Sequence, residues 1–421
     1  MLSTNRLPSG LLTYTAWILA VVTVVVLVVR VENALRTPLN VFPTYYTAAK
    51  LIASGEDIAR FYDDAWFRQQ AAEFEPSPHA KEIYNANTPL MGFFFLPMAG
   101  LSYDAARHLT SEIAFGALLV ATLLLAVELE VTGVWRAAAF TAVFAAPTTF
   151  LNLSHAHVYP LVLLLLVLGW LAWRRCTDTI GGAFIGLVIA FKTAGLFLVP
   201  LIVLERRWRA LLGAMSIIGV LVLLTSPYVR PSGWAAYFHY ASALMAGPQL
   251  SDGSYLSVIP FTRNLFSYNA ISNPDPYFDA PLLALSLQAV LFIVILGASA
   301  RVAILSKDRD VTFALFIMLS LILVPVTNRA TVCLGFLPAF VIFSCIKDRI
   351  VAPIGAWFFL GGILSFGPGI ERVGALADWG GPIFLYARFL GLLILMGVLL
   401  ALGRERKEVL VSKSTRDSVK A

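Results

Sequence analysis

The stretch RRCTDTIGGAFIGLVIAFKTAGLFLVPLIVLERRWR, from Arg174 to Arg209, decides the fold. Its apolar part, Ile180–Leu204, is long enough for one membrane crossing at ~20 residues per span. Basic clusters flank it on both sides, Arg174 and Arg175 before, Arg206, Arg207 and Arg209 after. A single crossing would put one cluster outside, against the bias that keeps Lys and Arg cytoplasmic. Lys192, followed by Thr193, Ala194 and Gly195, interrupts the run near its middle. Two limbs turning at Lys192–Gly195 keep both clusters inside, so the pattern predicts a half-depth hairpin with a lysine at its tip. An ionisable residue at membrane depth is expensive and is normally retained for a partner or pathway. The bland alternative is a lysine that snorkels to the interface.

The rest of the chain has the same character. Of its 421 residues, 59% are hydrophobic and 13% charged, against roughly 45–50% and ~25% in soluble chains. Mean hydropathy is +0.79. Too few polar residues remain to cover a soluble fold of this size, so lipid must solvate most of it. The net charge of +6 sits mainly in short loops, which reads as topology rather than nucleic-acid binding. Cys176, Cys333 and Cys345 show neither disulfide nor metal spacing. No phosphate loop, dinucleotide fingerprint, nucleophile elbow or zinc-protease helix is present, so neither ATP-driven pumping nor soluble-type hydrolysis has support, and no cofactor is implied.

The expected fold is an all-α polytopic membrane protein, a single integral domain over residues 1–421. Full spans are expected at Leu11–Val29, Ala106–Val127, Ala137–Leu151, Val158–Trp173, Leu211–Pro227, Leu282–Leu305, Val311–Pro325, Thr331–Ile346, Ile350–Phe366 and Ile383–Leu402. That makes about ten crossings plus the two hairpin limbs. Residues 88–101, with Pro89 and Pro97, are too short to span and read as interfacial or re-entrant. Both termini and the basic tail, residues 404–421, fall on the cytoplasmic side. The first outer loop, residues 30–87, is far longer than most connections. Within it Phe42–Ala53 and Ala65–Phe74 are helix-compatible and suit juxtamembrane helices. A second outer segment covers residues 228–279, while the outer turns at 152–157, 327–330 and 369–380 are short. Long loops on one face place the function there. No internal repeat argues for a secondary transporter built of duplicated halves.

Candidate chemistry follows from that face. Glu56, Asp57, Asp63 and Asp64 offer a carboxylate base or substrate ligand, or else plain solvated charge. Arg263 and Arg329 join Lys192 as possible phosphate contacts, because a guanidinium fork donates two parallel hydrogen bonds. Three cations from distant segments are expected to converge on one outward cavity wide enough for a lipid headgroup. His155 and His157 lie at an outer helix junction with no third metal ligand nearby in sequence, which favours substrate or structural hydrogen bonding over metal.

In their order these features resemble glycosyltransferase family 87, the DUF2029 group of the GT-C superfamily. The resemblance rests on Phe42-Pro-Thr-Tyr-Tyr-Thr-Ala-Ala49 with Gly55 and Tyr62-Asp63, on Asn87-Thr-Pro-Leu90 running to Leu96-Pro97, and on Tyr103-Asp-Ala-Ala106. Its strongest block is Ala183 to Pro200 around Lys192, closed by Arg206-Arg-Trp-Arg209. It implies a helical membrane bundle whose first outer loop roofs an extracytoplasmic site in the cell (inner) membrane. There a sugar would pass from a polyprenyl-phosphate donor to an envelope glycan or lipid acceptor, with inversion. With this reading Asn40, Tyr45, Tyr46, His155 and Asn264 are expected as substrate contacts, and Lys192, Arg263 and Arg329 around the phosphate. The chain departs from the pattern where family members place an acid before the Phe-x-x-Tyr-Tyr stretch, since Val41 stands there. The base is therefore expected at Asp57 or, in reserve, at His157. Otherwise the chain is a silent relative that only binds lipid-linked sugar.

Overall fold

The computed structural model describes residues 9–37, 41–74, 83–84, 87–247, 250, 254–306, 308–350, 352–367 and 386–418, with side chains of the final helix described to residue 404. Asn40 and the turn at 369–380 lie outside the described residues. Among these the chain is helical throughout and no strand forms. In chain order the helices are α1 Ser9–Leu35, α2 Phe42–Ala53, α3 Asp64–Ala72, α4 Met91–Phe94, α5 Tyr103–Glu128, α6 Gly133–Ala145, α7 Pro147–Ser154, α8 Tyr159–Arg174 and α9 Asp178–Phe191. They continue with α10 Leu198–Leu204, α11 Trp208–Ala246, α12 Val258–Phe266, α13 Pro281–Leu305, α14 Arg309–Leu323, α15 Phe336–Ile346, α16 Pro353–Phe366 and α17 Ala387–Ser418.

Five of these helices, α1, α5, α11, α13 and α17, are long and apolar enough to cross a membrane. The pair α6 and α7, bent by 53° where Ala146 takes extended backbone before Pro147, makes a sixth candidate. Shorter apolar helices are α8, α9, α16 and the segments 193–204 and 331–346; α8 is largely buried, whereas Trp357, Phe359 and Ile363 of α16 are exposed. Along α1 and α13 residues such as Ile18, Val25, Ile293 and Val294 stay exposed, the surface expected of helices solvated by lipid rather than water. By contrast α14 is buried at Val311 and at each later position to Leu323. It forms the axis of the bundle.

The Arg174–Arg209 stretch folds back on itself. Helix α9 has 14 residues and α10 has 7, each short of the ~20 a span needs. Lys192 breaks the helix with extended backbone, φ −153° and ψ 106°. A 3-10 turn over Thr193–Gly195 then reverses the chain, so that Gly195 packs against Ile185 and Val188 of α9. At the open end, Arg207 donates to the Asp178 carboxylate at 2.8 Å and to the Trp173 carbonyl at 3.2 Å. Glycine makes the seam to α11 possible. A Cβ at Gly182 would lie 1.8 Å from the Ala210 carbonyl oxygen, and one at Gly186 2.6 Å from that of Ala214. Small residues four apart let helix backbones touch in this way.

Two expectations need adjusting. Beyond the fifth predicted span, Leu211–Pro227, the chain stays helical: α11 runs on to Ala246, broken by one non-helical residue, Arg230, at φ 51°. Pro231 has no N–H to offer the preceding turn, so the helix breaks there and restarts with proline in the first turn, where it is tolerated. The limb before the break, residues 208–229, is long enough at ~1.5 Å per residue for a ~30 Å hydrocarbon core, and residues 231–246 form a second helical limb. Much of what was expected as outer loop is therefore helix. The second adjustment concerns α2, read from the sequence as a juxtamembrane helix lying along the membrane surface. Ten of its twelve residues are buried, because α4, the 3-10 turn Leu96–Gly100, α3 and α5 all pack against it.

Candidate active site

A cavity of about 340 Å³ opens where the tip of the hairpin meets α2. Its walls include Val41, Thr44 and Tyr45 of α2 and its approach, Asn87 and Thr88, His157 and Tyr159, Lys192 and Thr193, Tyr255, and Thr327, Asn328 and Thr331. Each wall is held by a contact that the local sequence explains. Thr88 donates its hydroxyl to the Ala190 carbonyl at 2.7 Å, filling a vacancy that the helix break after Phe191 leaves open. Tyr45 stacks on Phe95 at 4.7 Å and 10°, which keeps its ring over the cavity. Leu256 donates its backbone N–H to the Thr327 carbonyl at 2.6 Å, coupling the approach to α12 to the 325–331 turn. That turn is shaped by Asn328, whose Oδ1 accepts from the Ala330 and Thr331 N–H groups, both at 3.0 Å.

Lys192 is the cation of the cavity. Its Nζ donates to Asn87 Oδ1 at 2.5 Å and lies 5.5 Å from the Tyr45 ring and 5.6 Å from the Tyr159 ring. Asn87 is fixed in turn: its Nδ2 donates to the Tyr84 carbonyl at 2.6 Å, and its own carbonyl accepts from Tyr62 Oη at 2.9 Å. Two ring faces and one neutral amide leave a desolvated ammonium with donor capacity to spare. An anion is the natural complement.

His157 sits on the same cavity, at the junction between α7 and α8, and is 5% exposed. Its ring stacks with that of His155 at 6.0 Å and meets Tyr159 at 5.8 Å. Its Nδ1 is buried without a hydrogen-bond partner. Burial first, then His155 and Lys192, hold its pKa well below the usual histidine value, so the ring is neutral at pH 7. A neutral imidazole on the wall of a cavity can accept a proton.

Not every expected site residue comes to this place. Tyr46 is buried beside Tyr45 but donates to the Leu101 carbonyl at 2.8 Å. His155 backs His157 and is not part of the wall. Arg263 donates to the Gly247 and Met245 carbonyls at 2.9 and 3.0 Å, closing the end of α11. Asn264 pairs with Asn273 at 3.2 Å. Arg329 stands in the turn beside the cavity, its carbonyl accepting from Thr148, and its side chain is not part of the described wall. Of the three expected cations the structure brings only Lys192 into the lining. Asp57 caps the 3-10 turn Ile58–Tyr62, accepting from the Ala59 N–H at 3.0 Å. Glu56 pairs with Arg60 on the surface at 3.0 Å, and Asp63 caps α3. Asp64 accepts from Tyr240 at 3.3 Å, its pKa raised by burial. No Asp or Glu occurs among the described wall residues.

Val41 occupies the wall with φ 87°. A β-branched residue in left-handed backbone costs ~1–3 kcal/mol and persists only when its surroundings dictate it. The residues that sequence reasoning passed over are Asn87 as the lysine's partner, Tyr159, Tyr255 and the hydroxyls of Thr193, Thr327 and Thr331. Asn87 alone carried a signal, as the only amide in an otherwise apolar segment that the resemblance had marked.

Residues 85–325, more than half of the chain, match the sequence model of glycosyltransferase family 87. The chain belongs to glycosyltransferase family 87. No curated protein and no solved structure shows significant similarity to it. The matched region of this family-87 chain takes in Asn87, His157, Lys192 and Tyr255, and it stops just before the 327–331 turn. The resemblance read from Phe42 to Arg263 thus has its family. The activity is that of a glycosyltransferase in a multi-pass membrane protein, with a sugar donor, an acceptor and a lipid bilayer as its partners.

Proposed function

We propose that this family-87 chain moves a sugar from a polyprenyl-phosphate donor to an envelope glycan or lipid acceptor, on the extracytoplasmic face of the cell membrane and with inversion. The observation that carries this reading is the ammonium of Lys192, held on Asn87 beside α2 in a cavity with no described carboxylate. In this mechanism the acceptor oxygen attacks the anomeric carbon and His157 takes its proton. The bond from that carbon to the phosphate oxygen breaks as the new one forms, and Lys192 stabilises the charge that develops on the phosphate. A single displacement inverts the centre. A retaining double displacement needs a carboxylate nucleophile close to the sugar, and the described wall offers none.

A lipid-linked donor also needs a dry place for its chain. A second cavity, about 420 Å³ and almost wholly apolar, lies between α6, α15 and α16. Thr331 and Leu334 line the first cavity and Phe336 the second, so one short segment contributes to both. The donor is accordingly a phosphate on an isoprenoid chain rather than a nucleotide sugar.

Purified protein in vesicles, given polyprenyl-phosphate sugars with a labelled sugar, tests the proposal. Transfer to a membrane acceptor that Lys192→Met slows about a hundredfold supports it. Donor binding with no transfer to any acceptor favours the silent-relative reading, which the apolar Val41 in the wall motivates. Neither binding nor transfer ends both.

A further inference from the structure

We propose that the connection between α12 and α13 is a rigid apolar wedge that inserts into the headgroup region of the leaflet α13 enters. Ile271 at its tip is 96% exposed and Phe278 68%, with Tyr268 and Tyr277 exposed beside them. Such a group of large apolar side chains on the surface marks a contact with something apolar.

The loop cannot fold those side chains away, because its backbone is fixed from within. Asn269 and Asn273 exchange two backbone hydrogen bonds of 2.9 Å. The Asn269 Oδ1 accepts from the Ile271 and Ser272 N–H groups at 3.1 and 2.9 Å, closing the turn that holds Ile271 out. Asn273 Nδ2 donates to the Asn264 and Ser267 carbonyls at 2.8 and 2.7 Å. Tyr277 and Ala280 tie back to Leu265 and Phe266, and Tyr268 N–H reaches Asp279 at 3.1 Å.

The occupant is set by what adjoins the loop. Helix α13, a membrane-spanning candidate, starts at Pro281, and its first residues Leu282, Leu283 and Leu285 are exposed. Exposed apolar residues thus continue from Phe278, past the single acid Asp279, onto the lipid-facing side of a span. Tyrosine and phenylalanine at that level match the aromatic belt of a membrane interface. From Asn264 to Ala300 the sequence holds no Lys or Arg, while Asp275 and Asp279 are acidic. The wedge therefore binds by apolar insertion and not by attraction to anionic headgroups. Through α12 and the Leu256–Thr327 bond it steadies one wall of the cavity against the bilayer.

The test uses the full chain, with Cys176 replaced by serine, in phosphatidylcholine vesicles. A nitroxide is placed on Ile271→Cys, on Phe278→Cys or, as an aqueous reference, on Glu73→Cys of the exposed end of α3. Collision with oxygen, which concentrates in lipid, is compared with collision with a water-soluble nickel chelate. The wedge predicts oxygen dominance at 271 and 278, nickel dominance at 73, and no change when a third of the lipid is made anionic. Nickel dominance at 271 overturns the proposal. So does exclusion of both reagents, which would mean a protein partner covers the loop. Oxygen dominance appearing only with anionic lipid overturns it as well.

Discussion

Arg207 and Asp178, 29 residues apart in sequence, stand 2.8 Å apart in the structure, and this pair closes the open end of the hairpin whose tip carries Lys192. The basic clusters at Arg174 and Arg206 consequently share one end of the bundle, as the charge pattern required. Cysteines placed in the 174–177 loop and at Arg206 should both react with an impermeant thiol reagent from the same side. Labelling from opposite sides would mean that the segment crosses.

The same pair bears on stability. Arg207 is 8% exposed and Asp178 24%. Removing one partner of a buried pair costs ~3–5 kcal/mol, and the partial exposure of Asp178 puts Arg207→Ala near the low end. Thermal unfolding in detergent should fall accordingly, and Asp178→Asn in the same background should restore part of the loss. An unchanged midpoint for Arg207→Ala would show that the hairpin is held by its α11 seam alone.

Lys192→Met should slow transfer by ~2–4 kcal/mol of lost transition-state stabilisation, near a hundredfold or more. Asn87→Ala, which frees the lysine from its amide, should cost less. In the Lys192→Met background it should cost nothing further, since groups acting through one another are not additive. Additive losses would separate Asn87 from the lysine.

The hairpin was legible in the sequence because two arginine clusters and a central lysine leave few topologies open. The α2 boundaries were legible too, set by Pro43 at the start and Ser54-Gly55 at the end. The site was legible in part. Lys192 announced itself as a charge in an apolar run, and His157 as one of two histidines at a helix junction. The exclusion of Arg263 was not readable, because its partners are the carbonyls of Met245 and Gly247 on a helix expected to end at Pro227. Asp57 looked like a free acid in an outer loop; its role as a cap depends on a 3-10 turn that short, weakly periodic stretches do not reveal. The roles of Asn87 and Thr331 need long-range contacts that no local pattern records.

The second cavity gives a separate handle on the donor. A Cβ at Gly362 meets no atom within 4 Å, so a larger side chain there fills the apolar space without a clash. Gly362→Leu should leave the fold intact and raise KM for a long-chain donor while sparing a donor with a truncated chain. Equal effects on both donors would remove this cavity from the lipid path.

The base is the most exposed part of the mechanism, and Asp57 and His157 can be told apart. Asp57 accepts a backbone N–H and caps a turn, so Asp57→Asn keeps an acceptor there and should leave kcat nearly unchanged. His157→Gln removes the only described imidazole of the wall and should lower kcat far more than KM, because proton transfer is the step lost. The pH profile adds a sign. Burial and its cationic neighbour hold the His157 pKa below ~6.5, the ordinary histidine value, so the base form survives to lower pH than a free histidine would allow. The acid limb of kcat should therefore fall below that value, and Lys192→Met, which removes the neighbouring charge, should move it upward. The same depression means that the folded state resists protonation: the histidine's contribution to stability is complete above ~6.5 and is lost as pH falls below it. Should Asp57→Asn abolish transfer while His157→Gln retains it, the proton goes to the carboxylate, and the Ile58–Tyr62 turn that Asp57 caps must rearrange during turnover to bring it in.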